Sequence, residues 1–292
     1  MINLKFTYLC IAVMCSTLSL CVCGAQISDI NLTTHADKLS ADWKIGKQAV
    51  KVTVKAKPGC VISKADSGMT VGGNPVIVWA ERNKSSNDND IFAQMFFLDG
   101  TKIWNVDRLP INVFRGNQTS PKVVSSSDGG FFVVWQSDSA GKNNINIWCQ
   151  RFSQDGKAAW STPVPVCAFS GNQINPVITT DIDGSLLVAW EDYRRGNADI
   201  YGQRIEQDGS FTGPEDGAVI DESIGNQTDV RFKLDAEGQP TALKWNSKRS
   251  GFLKPVVVET DISKMPIPEP GTIYYLIFII NYFLIRKVRF ST

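Results

Sequence analysis

Histidine is almost absent from this sequence of 292 residues, in which only His35 occurs, near the N-terminal end. Ser-His-Asp triads, Cys-His pairs and zinc hydrolase sites all need an imidazole in the folded body, so these classes are excluded there. Hydrolysis by two carboxylates stays open, because that chemistry needs only a pair of acids. No pair of acids stands out, and we therefore predict no catalytic residues.

An excess of basic residues is also lacking. Residues 26–267 contain 26 Lys and Arg against 28 Asp and Glu. A nucleic-acid-binding protein needs a basic stripe that neutralises phosphates, so we expect no nucleic-acid partner. Apolar residues make up 43% of the chain, which is enough to form a real core.

Cysteines are too few for a disulfide framework. Four of the seven lie before Gly24, which leaves Cys60, Cys149 and Cys167 in the body. This odd number favours buried or free thiols, and one bond between Cys149 and Cys167 stays open as the alternative.

Long apolar runs are confined to the two ends of the chain. At the N-terminal end, Lys5 precedes an apolar stretch at residues 6–23, and Cys23-Gly24-Ala25 supplies the small residues of a cleavage site. This order is typical of a secretory signal peptide, which we assign to residues 1–25, with cleavage between Ala25 and Gln26. An uncleaved anchor helix is the alternative.

The C-terminal end carries the second apolar run. Pro268-Glu269-Pro270 precedes an apolar stretch at residues 272–285, and the basic residues Arg286, Lys287 and Arg289 follow. Because a basic tail stays in the cytoplasm, a transmembrane helix here would halt export and leave the body outside. The stretch is shorter than the roughly 20 residues of an ordinary span, which bilayer thinning can accommodate.

These three parts, in this order, resemble the PEP-CTERM sorting signal of Gram-negative bacteria. The resemblance covers only the C-terminal segment, which we assign to residues 264–292. It implies that an exosortase-type sorting enzyme recognises Pro268, Glu269 and Pro270. It also implies export across the inner membrane, anchoring by the C-terminal helix, and delivery to the cell surface or beyond. An ordinary tail anchor without processing is the alternative.

Four tryptophans mark an internal repeat. Trp79, Trp135, Trp190 and Trp245 are 56, 55 and 55 residues apart. Gly-Asn-Gln stands ahead of the last three, and an Ile-x-x-Gln segment that leads to Asp-Gly stands behind the first three. A period of this length with several short strands in each copy is typical of β-propeller blades.

The third copy shows the strands of one blade. We predict them at residues 176–181, 186–191, 199–206 and 217–221. The middle runs are almost continuously apolar, as expected for strands that neighbouring blades cover on both faces. The last copy has a strand at residues 255–259 and no room for a fourth.

The fold we predict is all-β, with a four-bladed β-propeller-like domain at residues 43–263 after an N-terminal linker at 26–42. The segment that follows Trp43 is similar to those after Trp104 and Trp160, so we expect it to complete the last blade and close the ring. Closure would remove exposed strand edges. The repeat resembles the tandem propeller repeats of secreted bacterial proteins and, more loosely, the Asp-box blades of sialidases, although the Asp-box order is not met.

The repeated tryptophans are predicted to pack between blades. A residue present in every copy usually serves the architecture, whereas a site breaks the symmetry. An aromatic platform for sugar rings is the alternative. The less regular Trp104, Trp148 and Trp160 are candidates for surface contacts.

The polar loop behind the third repeated tryptophan is the candidate ligand site. It brings together two acids, a tyrosine and two arginines, and an arginine pair can hold a carboxylate or sulfate. A surface ion-pair cluster is the alternative. The loop consists of Glu191, Asp192, Tyr193, Arg194 and Arg195.

Calcium is the one cofactor to weigh. Asn87, Asp88, Asn89 and Asp90 carry the oxygen ligands that calcium takes. No loop has the ligand spacing of an EF-hand, which favours solvated turn residues. We therefore predict no cofactor and no metal ligands, with calcium as the alternative.

Two trafficking signals surround a repeat body without a recognisable catalytic set. We therefore expect an exported, non-enzymatic protein of the cell surface or extracellular matrix, with a binding or structural role. Its expected partners are the sorting enzyme, the membrane, and exopolysaccharide or a surface protein. The alternative is a carbohydrate-active enzyme, sialidase-like or a five-bladed glycosidase, in which two or three acids converge at the centre of the ring.

Overall fold

The computed structural model describes residues 29–112, 115–138, 144–236, 238–248 and 256–261. The predicted signal peptide at 1–25 and the predicted sorting signal at 264–292 lie outside these ranges. Within them, the chain contains no helix of the length and apolar character that crossing a membrane requires.

The described residues form five antiparallel sheets, each built from strands in chain order. The first sheet contains β1 (Asn31–Thr34), β2 (Lys38–Ile45) and β3 (Gln48–Lys55); the second contains β4 (Cys60–Met69), β5 (Pro75–Asn83), β6 (Asn89–Met95) and β7 (Leu109–Asn112); the third contains β8 (Gln118–Ser125), β9 (Phe131–Ser137), β10 (Asn146–Phe152) and β11 (Val164–Cys167); the fourth contains β12 (Gln173–Thr180), β13 (Leu186–Asp192), β14 (Asp199–Ile205) and β15 (Ala218–Asp221); the fifth contains β16 (Asn226–Leu234), β17 (Pro240–Lys248) and β18 (Val256–Asp261).

The first strands of successive sheets lie side by side. β1 lies beside β4, β4 beside β8, β8 beside β12, and β12 beside β16. The sheets therefore follow one another around a common centre, as in a β-propeller. The predicted all-β repeat is confirmed, and the four strands predicted in the third copy coincide with β12–β15 to within a few residues.

Two details of the prediction are wrong. The described residues form five sheets where four blades were expected, because the N-terminal residues build a sheet of their own. β3, which was expected to complete the last blade, pairs instead with β2. Of the linker expected at 26–42, the described residues 29–42 contribute β1 and part of β2. Within the described ranges, no strand of the first sheet pairs with the fifth.

The Gly-Asn-Gln segments connect each sheet to the one before it. Asn172 Oδ1 accepts a hydrogen bond from Ile145 N at 3.2 Å, and Gln173 N donates to Ile145 O at 2.7 Å. Asn226 and Gln227 make the same pair of bonds to the backbone of Ala198, at 3.1 and 2.7 Å. The motif therefore serves the architecture, which explains its recurrence.

The repeated tryptophans are interior, as predicted. Trp79, Trp135 and Trp190 are 0% exposed and Trp245 is 2% exposed. Three of the indoles donate to a carboxylate: Trp79 to Glu81 at 3.3 Å, Trp190 to Asp192 at 2.8 Å and Trp245 to Asp221 at 2.7 Å. These acids satisfy three of the buried indole N–H groups and are therefore part of the packing.

Trp104 and Trp160 are not surface residues, which corrects that prediction. Their Nε1 atoms donate to Gln154 O at 2.9 Å and to Gln207 O at 3.0 Å, each in the Asp-Gly turn of the next sheet. Trp43 makes the equivalent bond to Leu98 O at 2.9 Å, which explains why its segment resembles theirs. Trp148 is half-buried and packs against the apolar core between the second and third sheets. All four tryptophans therefore pack where sheets meet.

The thiols of the body are unpaired with one another. Cys149 and Cys167 are buried and free, and Cys60 is half-buried and free. Burial raises the pKa of Cys167 to about 12 and that of Cys149 well above its ordinary value. Both therefore stay protonated and inert as packed side chains.

Candidate functional site

A cavity of about 380 Å³ lies where the first strands of four sheets meet. β4, β8, β12 and β16 each contribute to its wall, and one residue comes from the end of β13. Because each of these four sheets supplies its first strand, the cavity lies at the centre of their arrangement. We call it the axial pocket; its lining residues are Lys64, Ala65, Ser120, Pro121, Lys122, Asn175, Pro176, Val177, Glu191, Asp229 and Val230.

A backbone irregularity shapes the wall of the axial pocket. Ser120, Asn175 and Asp229 occupy the same position in three repeats, four residues after the glycine of Gly-Asn-Gln, and have φ of 50°, 55° and 57°. The pairing of each first strand with the second strand of its sheet shifts register at this point. Such bulges re-aim side chains and are common beside active sites. Here they turn these three residues toward the cavity.

Glu191 is the buried acid of the axial pocket, at 3% exposure. It is the next-to-last residue of β13, directly after Trp190. Its Oε1 accepts a hydrogen bond from Asp229 N at 2.8 Å, and its Oε2 accepts one from Asn175 Nδ2 at 3.1 Å. A hydrogen bond with the Tyr193 side chain adds a third contact. The carboxyl group is therefore held in one orientation from two neighbouring sheets.

The pKa of Glu191 is raised above its ordinary value. Burial is the largest cause, because it penalises the charged form, and the nearby Asp229 carboxylate raises the pKa further. The hydrogen bonds from Asp229 N and Asn175 act in the opposite direction. A carboxyl group that holds its proton closer to neutral pH is suited to donate that proton to a bound molecule.

Comparison of the repeats shows that the acid is specific to one sheet. The residue directly after the repeated tryptophan is Ala80, Gln136, Glu191 or Asn246. Gln136 Oε1 accepts from Asn175 N at 3.0 Å, which is the same contact that Glu191 makes to Asp229 N. An amide is enough for this structural contact, so the carboxyl of Glu191 goes beyond what packing requires. A break of symmetry of this kind indicates a site.

Asp229 places a second carboxyl group in the axial pocket. Its side chain is exposed, and Oδ2 accepts a hydrogen bond from Asn246 Nδ2 at 2.8 Å. Asp229 N is also a donor to Glu191, so the two acids are adjacent across the boundary between the fourth and fifth sheets. The sequence did not single out Asp229, because the contact joins residues 38 apart in the chain.

The candidate ligand loop is divided by the fold. Alternation along β13 sends Glu191 into the axial pocket and Asp192 into the interior, where Asp192 is 0% exposed. Arg194 forms two hydrogen bonds to Asp192, at 2.9 Å from Nε and 2.7 Å from Nη2, and stacks on Tyr201. Arg195 pairs with Glu222 at the exposed surface. The two arginines do not form a joint anion site. Of the loop, Glu191 alone lines the pocket, and Tyr193 hydrogen-bonds to Glu191.

The two asparagines weighed for calcium hydrogen-bond to other side chains. Asn89 uses its amide in hydrogen bonds with Ser63 and Asn117, and Asn87 Oδ1 accepts from Arg82. Among the residues that the structure describes, no group of three or more His, Cys, Asp or Glu is placed to hold a metal ion.

Solved structures resemble this fold at low sequence identity, while no protein-family model and no curated protein matches the chain. The polysaccharide lyase Uly1 matches with a TM-score of 0.51 and 9% identity, over 81% of this chain and 69% of that one. A protein of unknown function from Dyadobacter fermentans DSM 18053 matches with a TM-score of 0.50 and 12% identity, over 80% and 76%. The endo-arabinase of Bacteroides thetaiotaomicron VPI-5482 gives 0.48 and 13%, over 88% and 98%.

These likenesses establish an all-β, β-propeller-like fold. They also correct the expectation of a non-enzymatic protein, since one structure with this fold, Uly1, is a polysaccharide lyase. The expectation had rested on two trafficking signals around a repeat body without a recognisable catalytic set. Hydrolysis by two carboxylates, which the sequence left open, needs no histidine.

Proposed function

We propose that this protein is a carbohydrate-active enzyme that hydrolyses glycosidic bonds in the axial pocket. The observation that carries the proposal is Glu191: a buried acid with a raised pKa in a central cavity, at a repeat position where the other sheets have Ala80, Gln136 or Asn246. The fold that the chain shares with a polysaccharide lyase supports the substrate class.

Glu191 is the general acid in this proposal. It protonates the glycosidic oxygen of the leaving sugar, for which its raised pKa suits it. The bonds from Asp229 N, Asn175 Nδ2 and the Tyr193 side chain use three lone pairs of the carboxyl oxygens, and the fourth remains to carry the proton. Asp229 is the second carboxyl group, which stabilises positive charge on the sugar ring or activates water.

The test is a screen of purified protein against neutral and acidic polysaccharides, with product analysis. We expect new reducing ends on at least one polymer, and loss of at least about a thousandfold in rate in Glu191→Gln. Glu222→Gln, which changes an exposed acid in a surface ion pair, is the matched control and should keep the wild-type rate. Cleavage that survives in Glu191→Gln would refute the role assigned to Glu191. Products with an unsaturated sugar end would show that the reaction is an elimination and not a hydrolysis.

We also propose that the enzyme is exported and sorted to the cell surface by its ends. The support is the signal peptide pattern that ends at Ala25 and the resemblance of the tail around Pro268, Glu269 and Pro270 to the PEP-CTERM signal. A pocket that accepts polymers has its substrates outside the cell, which agrees with this route.

Localisation of a tagged chain tests this route. Replacement of Pro268, Glu269 and Pro270 by alanine should retain the protein in the inner membrane, whereas the wild-type chain should reach the surface or the medium. Identical fates of the two chains would reject the sorting role.

A further inference from the structure

Charge in the axial pocket is divided between its two sides. Lys64 on β4 and Lys122 on β8 line one side, on strands that are neighbours. Glu191 and Asp229, from β13 and β16, line the other side. A molecule that spans the cavity therefore contacts cations at one end and the proposed catalytic acids at the other.

In the part of the chain that the structure describes, neither lysine has a carboxylate within hydrogen-bond distance. Lys122 Nζ lies 3.9 Å from Asp66 Oδ1, which is beyond hydrogen-bond distance, and its side chain keeps 40% exposure. Lys64 is exposed and has no ion pair within the part of the chain that the structure describes. By contrast, Lys233 and Lys244 each lie 2.9 Å from a Glu259 oxygen. The lysines of the pocket are thus available to a ligand.

Asp66 does not remove this availability. Its Oδ2 accepts a hydrogen bond from Val123 N at 3.0 Å, so the carboxylate is engaged with the backbone of the neighbouring strand. Burial raises the pKa of Asp66, which weakens its hold on Lys122 as the pH falls.

Strand irregularities place both lysines. In β4 the pairing with β5 shifts register between Ile62 and Lys64, and in β8 the pairing with β9 shifts between Thr119 and Lys122. Each lysine is the first paired residue after its bulge. Two bulges that each end on a lysine at the same cavity give the cations a fixed place in the wall.

We propose that the axial pocket takes an anionic polysaccharide, and that Lys64 and Lys122 bind the carboxylate or sulfate group of a sugar unit beside the bond to be cleaved. This inference rests on the proposed function in taking a sugar polymer as the ligand. It adds the charge of the substrate and two residues that select it. Ammonium groups in a partly desolvated cavity bind such anions by charge-assisted hydrogen bonds.

The test measures binding in the Glu191→Gln background, where the ligand is not consumed. The probes are oligogalacturonate, a sulfated galactan oligosaccharide and a neutral arabino-oligosaccharide, each titrated by calorimetry at low and high salt. We expect one anionic probe to bind at least about tenfold more tightly than the neutral one, and added salt to weaken that binding. The anionic probe that binds identifies the group as carboxylate or sulfate.

Lys64→Gln and Lys122→Gln should each weaken anionic binding about tenfold, the size of one charge-assisted hydrogen bond. Lys51→Gln, on the exposed side of β3, is the matched control and should change nothing. Three results would overturn the inference. They are equal affinity for the neutral and anionic probes, no binding of either anionic probe, and wild-type affinity in a variant that carries both Lys64→Gln and Lys122→Gln. If the wild-type protein cleaves only neutral polymers, this inference is wrong and the proposed function stands. If the protein binds anionic probes and the wild type cleaves no polymer, the proposed function is wrong and the anion-binding role of the lysines stands.

Discussion

Arg194 and Arg195 are neighbours in the chain, and their replacement by methionine should have very different effects on stability. Arg194 binds Asp192 through two hydrogen bonds, of 2.9 and 2.7 Å, and the Asp192 side chain has 0% exposure. Removal of Arg194 leaves a buried carboxylate with only N–H donors as partners. Breaking a buried ion pair on one side costs about 3–5 kcal/mol.

Arg195 is the matched control. Its ion pair with Glu222 has side-chain exposures of 59% and 47%, and exposed pairs contribute about 0–1 kcal/mol. Urea denaturation of the purified protein, followed by tryptophan fluorescence, measures both variants. We expect Arg194→Met to lower the free energy of unfolding by about 3–5 kcal/mol and Arg195→Met by less than about 1 kcal/mol. Equal and small losses would show that Arg194 is a free surface group, and the candidate ligand loop would have to be reconsidered.

Two further substitutions test the packing and the pocket. Gly217→Ala puts a Cβ 2.3 Å from Trp190 Cη2 at a residue with φ of +84°, so the free energy of unfolding should fall by about 2–4 kcal/mol. The control is Gly196→Ala, with φ of +91° and open space around it, for which we expect a loss of about 1 kcal/mol. Equal losses in the two variants would contradict the packing of Trp190. Tyr193→Phe removes a hydrogen bond that lowers the pKa of Glu191, so the alkaline limb of the pH–rate profile should move to higher pH, and a limb that stays in place would separate Tyr193 from Glu191.

The pH dependence of stability follows from the same raised pKa of Glu191. A group whose pKa is higher in the folded chain than in the unfolded one contributes stability below the unfolded value, near 4.5, and that contribution is lost as the pH rises through the folded value. Wild-type protein should therefore lose stability relative to Glu191→Gln as the pH rises from below 4.5 toward neutral.

Much of the fold follows from the spacing of one residue type. The tryptophan period and the apolar runs locate β12–β15 because a buried strand needs continuous apolar residues, and this requirement is local. The separate N-terminal sheet could not be obtained in this way. Trp43 resembles Trp104 and Trp160 in role, since each donates to a turn in the next sheet, but the resemblance does not say which strands pair.

The candidate site was less accessible to sequence reasoning. The sequence placed Glu191 and Arg194 in one polar loop with equal roles. In the fold, alternation along the strand directs Glu191 into the pocket, whereas Arg194 binds the buried Asp192. Asp229, Lys64 and Lys122 come from other sheets, and only folding brings them to one cavity. The one local signal was the residue after each repeated tryptophan, where three neutral side chains and a single acid occur.

The most direct test of the general-acid role of Glu191 compares two substrates that differ in their leaving group. A nitrophenyl glycoside of the sugar that the enzyme releases has a leaving group that departs without protonation, whereas a polysaccharide needs the acid. We expect Glu191→Gln to lose cleavage of the polysaccharide and keep much of its rate on the nitrophenyl glycoside, while Asp229→Asn loses both. Equal losses of Glu191→Gln on the two substrates, or no loss on either, would contradict the role assigned to this residue.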